Sequence, residues 1–262
     1  MAGKKPKNTI EYIKWLEKEF KLSITNRTRV HYKSVTNIMK RDFKHSAFWN
    51  QLIENLKEYN AQYKLKTNYN LMTDFFPSIV IKPFNSFLHK TYRKNIVENS
   101  SWPNEPKDGW ILPDCWYSRI NDIIRSLIVV KYLDGVQFLV EKIKNMCDEE
   151  ESYCKIFFEA REEGYYAAHL YTKQEFEIPK VSWDTDTIEA SVEIQITTQL
   201  QEVIRNMLHK YYDEKRKRAE KKTVKWQWDY KSEEFSANYL GHILHYVEGM
   251  ILDIRDKQKE AS

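Results

Sequence analysis

The spacing of apolar residues divides the chain into a helical first quarter, a mixed middle and a helical end. Ile10, Ile13, Leu16 and Phe20 recur at helical spacing, so Thr9–Phe20 is predicted as an amphipathic helix. Asn8-Thr9-Ile10-Glu11 supplies a capping box at its start. A second helix is expected over Arg29–Asp42. A third begins near Ser46, with Phe48, Leu52, Ile53, Leu56 and Tyr59 as its stripe. The texture changes at Pro77-Ser-Ile-Val-Ile-Lys82, which is short and β-rich and runs into Pro83, a favoured first helical residue. A helix over Phe84–Lys94 follows, then a loop over Asn99–Pro113, rich in Asn, Ser, Gly and Pro.

Leu127–Val130 is a continuous apolar run, as expected of an interior strand covered on both faces. Asp134–Met146 is helical on Val136, Leu139, Val140 and Ile143. Cys154–Glu159 is a strand, and Gly164–Phe176 is a strand or hairpin. In Ser191–Thr198, Val192, Ile194 and Ile196 occupy one face, and Glu193 and Gln195 the other. Taken alone, this stretch reads as an edge strand with a solvated polar face. A long helix over Gln199–Glu220 ends in a basic run. A last helix covers Ser232–Lys257, capped by Ser232 with Glu233 and Glu234. Its stripe of Leu240, Ile243, Leu244, Val247, Ile251 and Ile254 is expected to pack into the core. The predicted fold is α+β, a mixed β-sheet of about five strands flanked by helices, with N- and C-terminal helical extensions. The expected organisation is 1–75 helical, 76–231 as the main domain and 232–262 as a terminal helix.

The composition fits a soluble globular protein: 262 residues, 42% hydrophobic, 31% charged and only 6 Gly. No apolar run approaches the roughly 20 residues of a membrane helix. Basic Met1–Lys7 leads into a charged amphipathic segment rather than a secretory core. The 3 cysteines, Cys115, Cys147 and Cys154, lack CxxC spacing, which favours reduced thiols in a cytoplasmic protein and argues against zinc. The net charge of +4 is unevenly distributed. Basic residues cluster at Lys4–Lys7, Arg27–Lys44 and Lys215–Lys225, beside abundant Tyr and Trp, a pairing suited to a polyanion. There is no internal repeat and no Gly-rich phosphate loop.

Five pieces stand in order: Lys82-x3-Ser86-x3-Lys90; Asp122 before the apolar strand; Gly164-Tyr165-x3-His169; Val192-Glu193-Ile194-Gln195; and His209 on the following helix. Together, over roughly Ile79–Tyr212, they resemble the nucleotidyltransferase-like synthetase domain of the RelA/SpoT-homologue family. That family transfers the β,γ-pyrophosphate of ATP to a ribose 3′-hydroxyl. The resemblance implies that Lys82, Ser86 and Lys90 bind the ATP phosphates. It assigns Mg²⁺ to Asp122, and to Glu193 a place near the attacking hydroxyl, on the metal, as proton acceptor, or both. Gln195 would hold Glu193, Tyr165 would stack on the acceptor base, and His169 would lie near the acceptor. His209 reads as structural.

The sequence departs from the family pattern at several positions. Val80 stands where an arginine is usual. Arg125 and Leu127 replace a small residue and an arginine, so Arg125 would supply the missing cation from another direction. Tyr166 and Ala167 replace Arg and Ser in G-Y-R-S-x-H. N-D-I-I-R, G-Y-Y-A-A-H-L-Y and W-Q-W-D-Y-K-S-E-E-F resemble a subset, the toxic small alarmone synthetases of toxin–antitoxin pairs. Several of these modify the 3′ CCA end of tRNA and so block aminoacylation and translation. The resemblance implies a synthesis-only enzyme with tRNA as acceptor and a separate antitoxin protein as partner. The last helix could mediate a homo-oligomer. Two rivals stand beside this reading: synthesis of guanosine or adenosine polyphosphates, and a degenerate copy that only binds RNA or a partner.

Overall fold

The computed structural model describes residues 4–179, 184–218 and 225–260, with side chains except those of 209–218 and 259–260. The first helices are α1 (Thr9–Phe20), α2 (Asn26–Lys44) and α3 (Ala47–Thr67). Then come β1 (Ile79–Ile81), α4 (Phe84–Tyr92), α5 (Trp116–Arg119), β2 (Ile124–Val130), α6 (Leu133–Glu149), β3 (Cys154–Ala160), β4 (Tyr166–Pro179) and β5 (Thr185–Thr198). Helices α7 (Gln199–Arg218) and α8 (Glu233–Glu260) close the chain. The five strands form one mixed sheet in the order β1-β2-β5-β4-β3. None of the described helices is long and apolar enough to cross a membrane.

The central place of β5 corrects the edge-strand reading of Ser191–Thr198. Strands on both sides cover it, and Glu193 is only 4% exposed. Strand β2 is interior as expected, with alternate residues buried from Ile124 to Val130. Gly164–Phe176 resolves into one strand rather than a hairpin.

The described residues divide into two compact units. One comprises 4–50, 79–126, 171–179 and 184–193; the other comprises 51–78, 127–170, 194–218 and 225–260. In the first unit the Asn8 side chain accepts the Glu11 amide at 2.9 Å, as the capping pattern requires. Strands β1 and β2 pair antiparallel, with Ile79, Val80 and Ile81 opposite Ser126, Arg125 and Ile124. After α4 the helix widens to a π-turn over Arg93–Val97. There buried Asn95 donates to the Tyr12 hydroxyl and the Ile111 carbonyl and accepts from the Ile111 amide. A buried amide that satisfies both ends in this way fixes the loop that the sequence reading left irregular.

In the second unit, α8 overturns the core-packing reading of its apolar stripe. Leu240, Ile243, Ile251 and Ile254 point to solvent, Ile243 at 56% exposure. The inward face carries Glu234, Asn238, Gly241, Glu248 and Arg255. The helix is rotated by what it must satisfy. The Arg255 guanidinium donates to Asp134 Oδ2 at 2.7 Å and to the Tyr63 hydroxyl at 2.9 Å. His245 stacks on Tyr166 with centroids 3.6 Å apart, and Gly241 meets Gly164 backbone to backbone. A hydrophobic period alone cannot weigh such contacts. Ile243→Ser should therefore move the melting temperature by no more than about 2 °C. A drop several times larger would restore the core reading.

Candidate functional site

The cationic part of the site is built by the β1–α4 turn. The Lys82 amide continues the β1–β2 pairing with a bond to the Ile123 carbonyl at 2.8 Å. That pairing brings Asp122, the residue before it, beside the Lys82 side chain. Pro83 then turns the chain into α4, which presents Lys90. Lys82 Nζ lies 2.8 Å from Asp122 Oδ2, and Lys90 Nζ lies 2.9 Å from Oδ1. One carboxylate thus carries two ammonium groups. The Tyr32 hydroxyl, which the sequence reading did not single out, donates to the Lys82 carbonyl at 2.8 Å and holds the turn.

Burial pushes the Lys82 ammonium below its ordinary value; Asp122 opposes this, while Arg125 and Lys90 add to it. At Asp122 burial works against the charge, but Lys90 and Lys82 outweigh it and hold the carboxyl below its ordinary range. Two lysines face one carboxylate in a mostly buried place, an excess of basic over acidic groups that favours an anionic ligand.

Arg125 stands directly opposite Val80 in the β1–β2 register. Directly opposed residues share a face at roughly 5 Å between Cβ atoms, and Lys82 is two residues from Val80 on that face. Arg125 therefore lies on the face of the sheet that carries Val80 and Lys82. Ser86 lies on α4 one turn before Lys90 and is exposed.

Glu193 belongs to the same unit. Its Oε1 accepts the Tyr171 hydroxyl at 2.8 Å. Tyr171 was missed in the sequence because nothing local marks a strand tyrosine as a partner for a carboxylate on another strand.

The second unit holds Tyr165, His169 and Gln195. The Tyr165 hydroxyl and His169 Nε2 are 3.0 Å apart, with the rings edge to face. The Arg161 guanidinium lies 5.2 Å from the Tyr165 ring centroid. Gln195 Oε1 accepts from Arg205 Nη1 at 3.1 Å, a partner the sequence reading did not foresee. Tyr166 gives its ring to His245 and its hydroxyl to His242 Nδ1 at 2.8 Å. The motif position that is usually arginine is thus used to seat α8. His209 and Lys215–Arg218 lie on α7 with side chains outside the described set, and 219–224 lie outside the described residues.

Among the described residues, no group of three or more His, Cys, Asp and Glu side chains could hold a metal by itself. Asp122 and Glu193 are hard oxygen donors of the kind Mg²⁺ takes in ones and twos, with substrate phosphates and water completing its shell. By their chemistry they suit a metal brought with a nucleotide rather than a protein cage; both Asp122 oxygens here face ammonium groups, and Glu193 Oε1 accepts from Tyr171.

No protein-family model matches the sequence, and no curated protein matches it. Solved structures do. A GTP pyrophosphokinase family protein from Streptococcus pneumoniae superimposes with a TM-score of 0.50 at 16% identity, over 90% of this chain and 95% of that one. Small alarmone synthetase 1 from Bacillus subtilis, bound to its product pppGpp, superimposes with a TM-score of 0.52 at 16% identity, over 89% and 97%. The fold of this chain is therefore that of the GTP pyrophosphokinase and small alarmone synthetase structures.

Proposed function

We infer that the protein is a pyrophosphotransferase that moves the β,γ-pyrophosphate of ATP to the 3′-hydroxyl of the tRNA CCA end, acting as a toxin restrained by an antitoxin protein. The observation that carries the transferase reading is the Lys82–Asp122–Lys90 cluster, whose surplus positive charge suits a polyphosphate. Phosphoryl transfer asks a protein mainly for positioning and charge neutralisation.

In this reading Lys82, Lys90 and Arg125 take the donor phosphates, and Ser86 offers a hydroxyl from α4. The acceptor 3′-oxygen attacks the β-phosphorus, the bond from that phosphorus to the α,β-bridging oxygen breaks, and AMP leaves. Glu193 takes the hydroxyl proton, oriented by Tyr171. When bound, Mg²⁺ would be held by Asp122 and Glu193 and would neutralise charge on the phosphates. Tyr165 stacks on the acceptor base, with His169 beside it and Gln195 further along β5.

Two features favour tRNA over a free nucleotide. Tyr166 and Ala167 remove the polar side chains that the family pattern places beside Tyr165. The exposed Arg27, Lys33, Arg41 and Lys44 of α2 give a basic face for phosphates. The second reading, a guanosine polyphosphate product, draws on the pppGpp held by the Bacillus subtilis neighbour.

Incubation with γ-labelled ATP and a mixture of tRNA, GDP, GTP and AMP separates the two. Label should enter tRNA, and periodate oxidation of its 3′ end should abolish uptake. Label only in free nucleotides would install the second reading. Label in no acceptor would sink both.

A further inference from the structure

One exposed face of β3 adjoins the side of the β3–β4 hairpin that carries Tyr165 and His169, and neither the motifs nor the resemblance accounts for it. Side chains on β3 alternate, so Lys155, Phe157 and Glu159 share one face. The contacts agree. Lys155 Nζ lies 4.8 Å from the Phe157 ring centroid, and Glu159 Oε2 accepts Arg161 Nε at 2.8 Å. Arg161 in turn covers the Tyr165 ring, and Tyr165 reaches His169. The opposite parity carries half-buried Cys154 and Ile156, and further along it Phe158 is exposed as well.

The Arg161 amide donates to the Tyr165 carbonyl at 3.0 Å and closes the β3–β4 connection. Strands β3 and β4 are neighbours in the sheet, so Phe157 and His169 lie on adjacent strands. Phe157 is 42% exposed although it is a large apolar side chain, and β3 is the last strand in the sheet order.

We propose that this face of β3 is a stacking platform for the unpaired nucleotides just before the acceptor's 3′ end, with Phe157 as the ring and Lys155 as the phosphate contact. The proposal rests on the reading of tRNA as acceptor and deepens it. A free nucleotide ends at Tyr165, whereas a single-stranded 3′ end brings further bases that need a surface. Sheets that bind single-stranded RNA place aromatic side chains on neighbouring strands, so that successive bases stack without a sequence code. Tyr165 and Phe157 stand on neighbouring segments of one hairpin in that manner. The charge on this face is nearly balanced, Lys155 and Arg161 against Glu159, so stacking rather than electrostatics is the main contribution here. The steep salt dependence belongs to the basic helix faces.

The test measures label transfer to tRNA at saturating ATP. Phe157→Ala should raise KM for tRNA about tenfold with kcat within about twofold, and Phe157→Tyr should restore it. Lys155→Gln should lower the slope of log affinity against log salt by roughly 0.7, the share of one single-strand phosphate contact. An unchanged KM in Phe157→Ala, with tRNA labelled by the wild type, overturns the platform and leaves the function standing. A change of oligomeric state by light scattering, without a change of KM, also overturns it and makes the face an interface between copies. If the wild type labels no tRNA, the functional reading falls. The platform is then judged by fluorescence anisotropy with an RNA oligonucleotide ending in CCA. Weaker binding by Phe157→Ala supports it; equal binding, or none by the wild type, overturns it.

Discussion

Glu193→Gln should lower pyrophosphate transfer by about 10²- to 10⁴-fold, the range expected when a positioned proton acceptor is lost. The fold should survive. Glu193 is nearly fully buried, and Oε1 accepts a hydroxyl bond from Tyr171. A glutamine of the same shape can accept that bond through its amide oxygen. It also removes the cost of burying an ionised group. The melting temperature should therefore stay within about 2 °C or rise, so that lost activity cannot be blamed on unfolding. On the proposed toxin reading, the wild type arrests growth on expression and the variant does not. Retention of transfer within tenfold of the wild type would end the proton-acceptor role. Growth arrest without transfer would favour the non-enzymatic rival, which needs binding but no chemistry.

The largest structural effect is expected at Gly241. A Cβ there would lie 2.4 Å from the Gly164 carbonyl oxygen and 2.9 Å from its carbon. Both are backbone atoms, so no side chain can swing aside. Gly164 answers with the same constraint: its own Cβ would meet the Asn238 carbonyl oxygen at 2.4 Å, and its φ is +75°. Gly241→Ala should push α8 off the β3–β4 connection and loosen the His245–Tyr166 stack. The His242 Nε2 contact with the Glu162 carbonyl at 2.9 Å should weaken with it. The expected cost is about 3 kcal/mol, at the upper end for overpacking. For a chain of this size that is roughly 6–12 °C in melting temperature. Because Tyr165 follows Gly164 directly, KM for the acceptor should rise as well. Gly249→Ala on the same helix is the control. A Cβ there meets nothing within 4 Å, and alanine should stabilise an interior helical position by about 0.8 kcal/mol. Equal melting temperatures for the Gly241 and Gly249 variants would refute the close crossing.

The candidate site was legible in the sequence to the extent that its geometry is local. Lys82 and Lys90 flank one strand-to-helix turn, and Asp122 adjoins the partner strand, so their meeting follows once β1 and β2 pair. Tyr165 immediately precedes β4 and His169 lies on β4 at the same parity, so both side chains turn to one side and their polar ends meet. Tyr171, Arg205 and Tyr32 were missed for the opposite reason. Each is an ordinary residue in its own segment and acquires a role through a partner on another element. The pairing of Val80 with Arg125 is similar, since only the register shows that the two face each other.

By itself the sequence determined the long helices, the interior strand Leu127–Val130 and the α+β class, but not the short helix α5. These follow from periodicity, capping and turn chemistry within a few residues, whereas the motif residues were marked by their resemblance to a family pattern. Only the tertiary structure decided that β5 is central rather than an edge, because neighbours in a sheet are chosen by segments distant in the chain. It also decided which face of α8 turns inward. There a bidentate ion pair, a ring stack and a glycine crossing outweighed a stripe of aliphatic side chains, a competition between long-range contacts that no local pattern records.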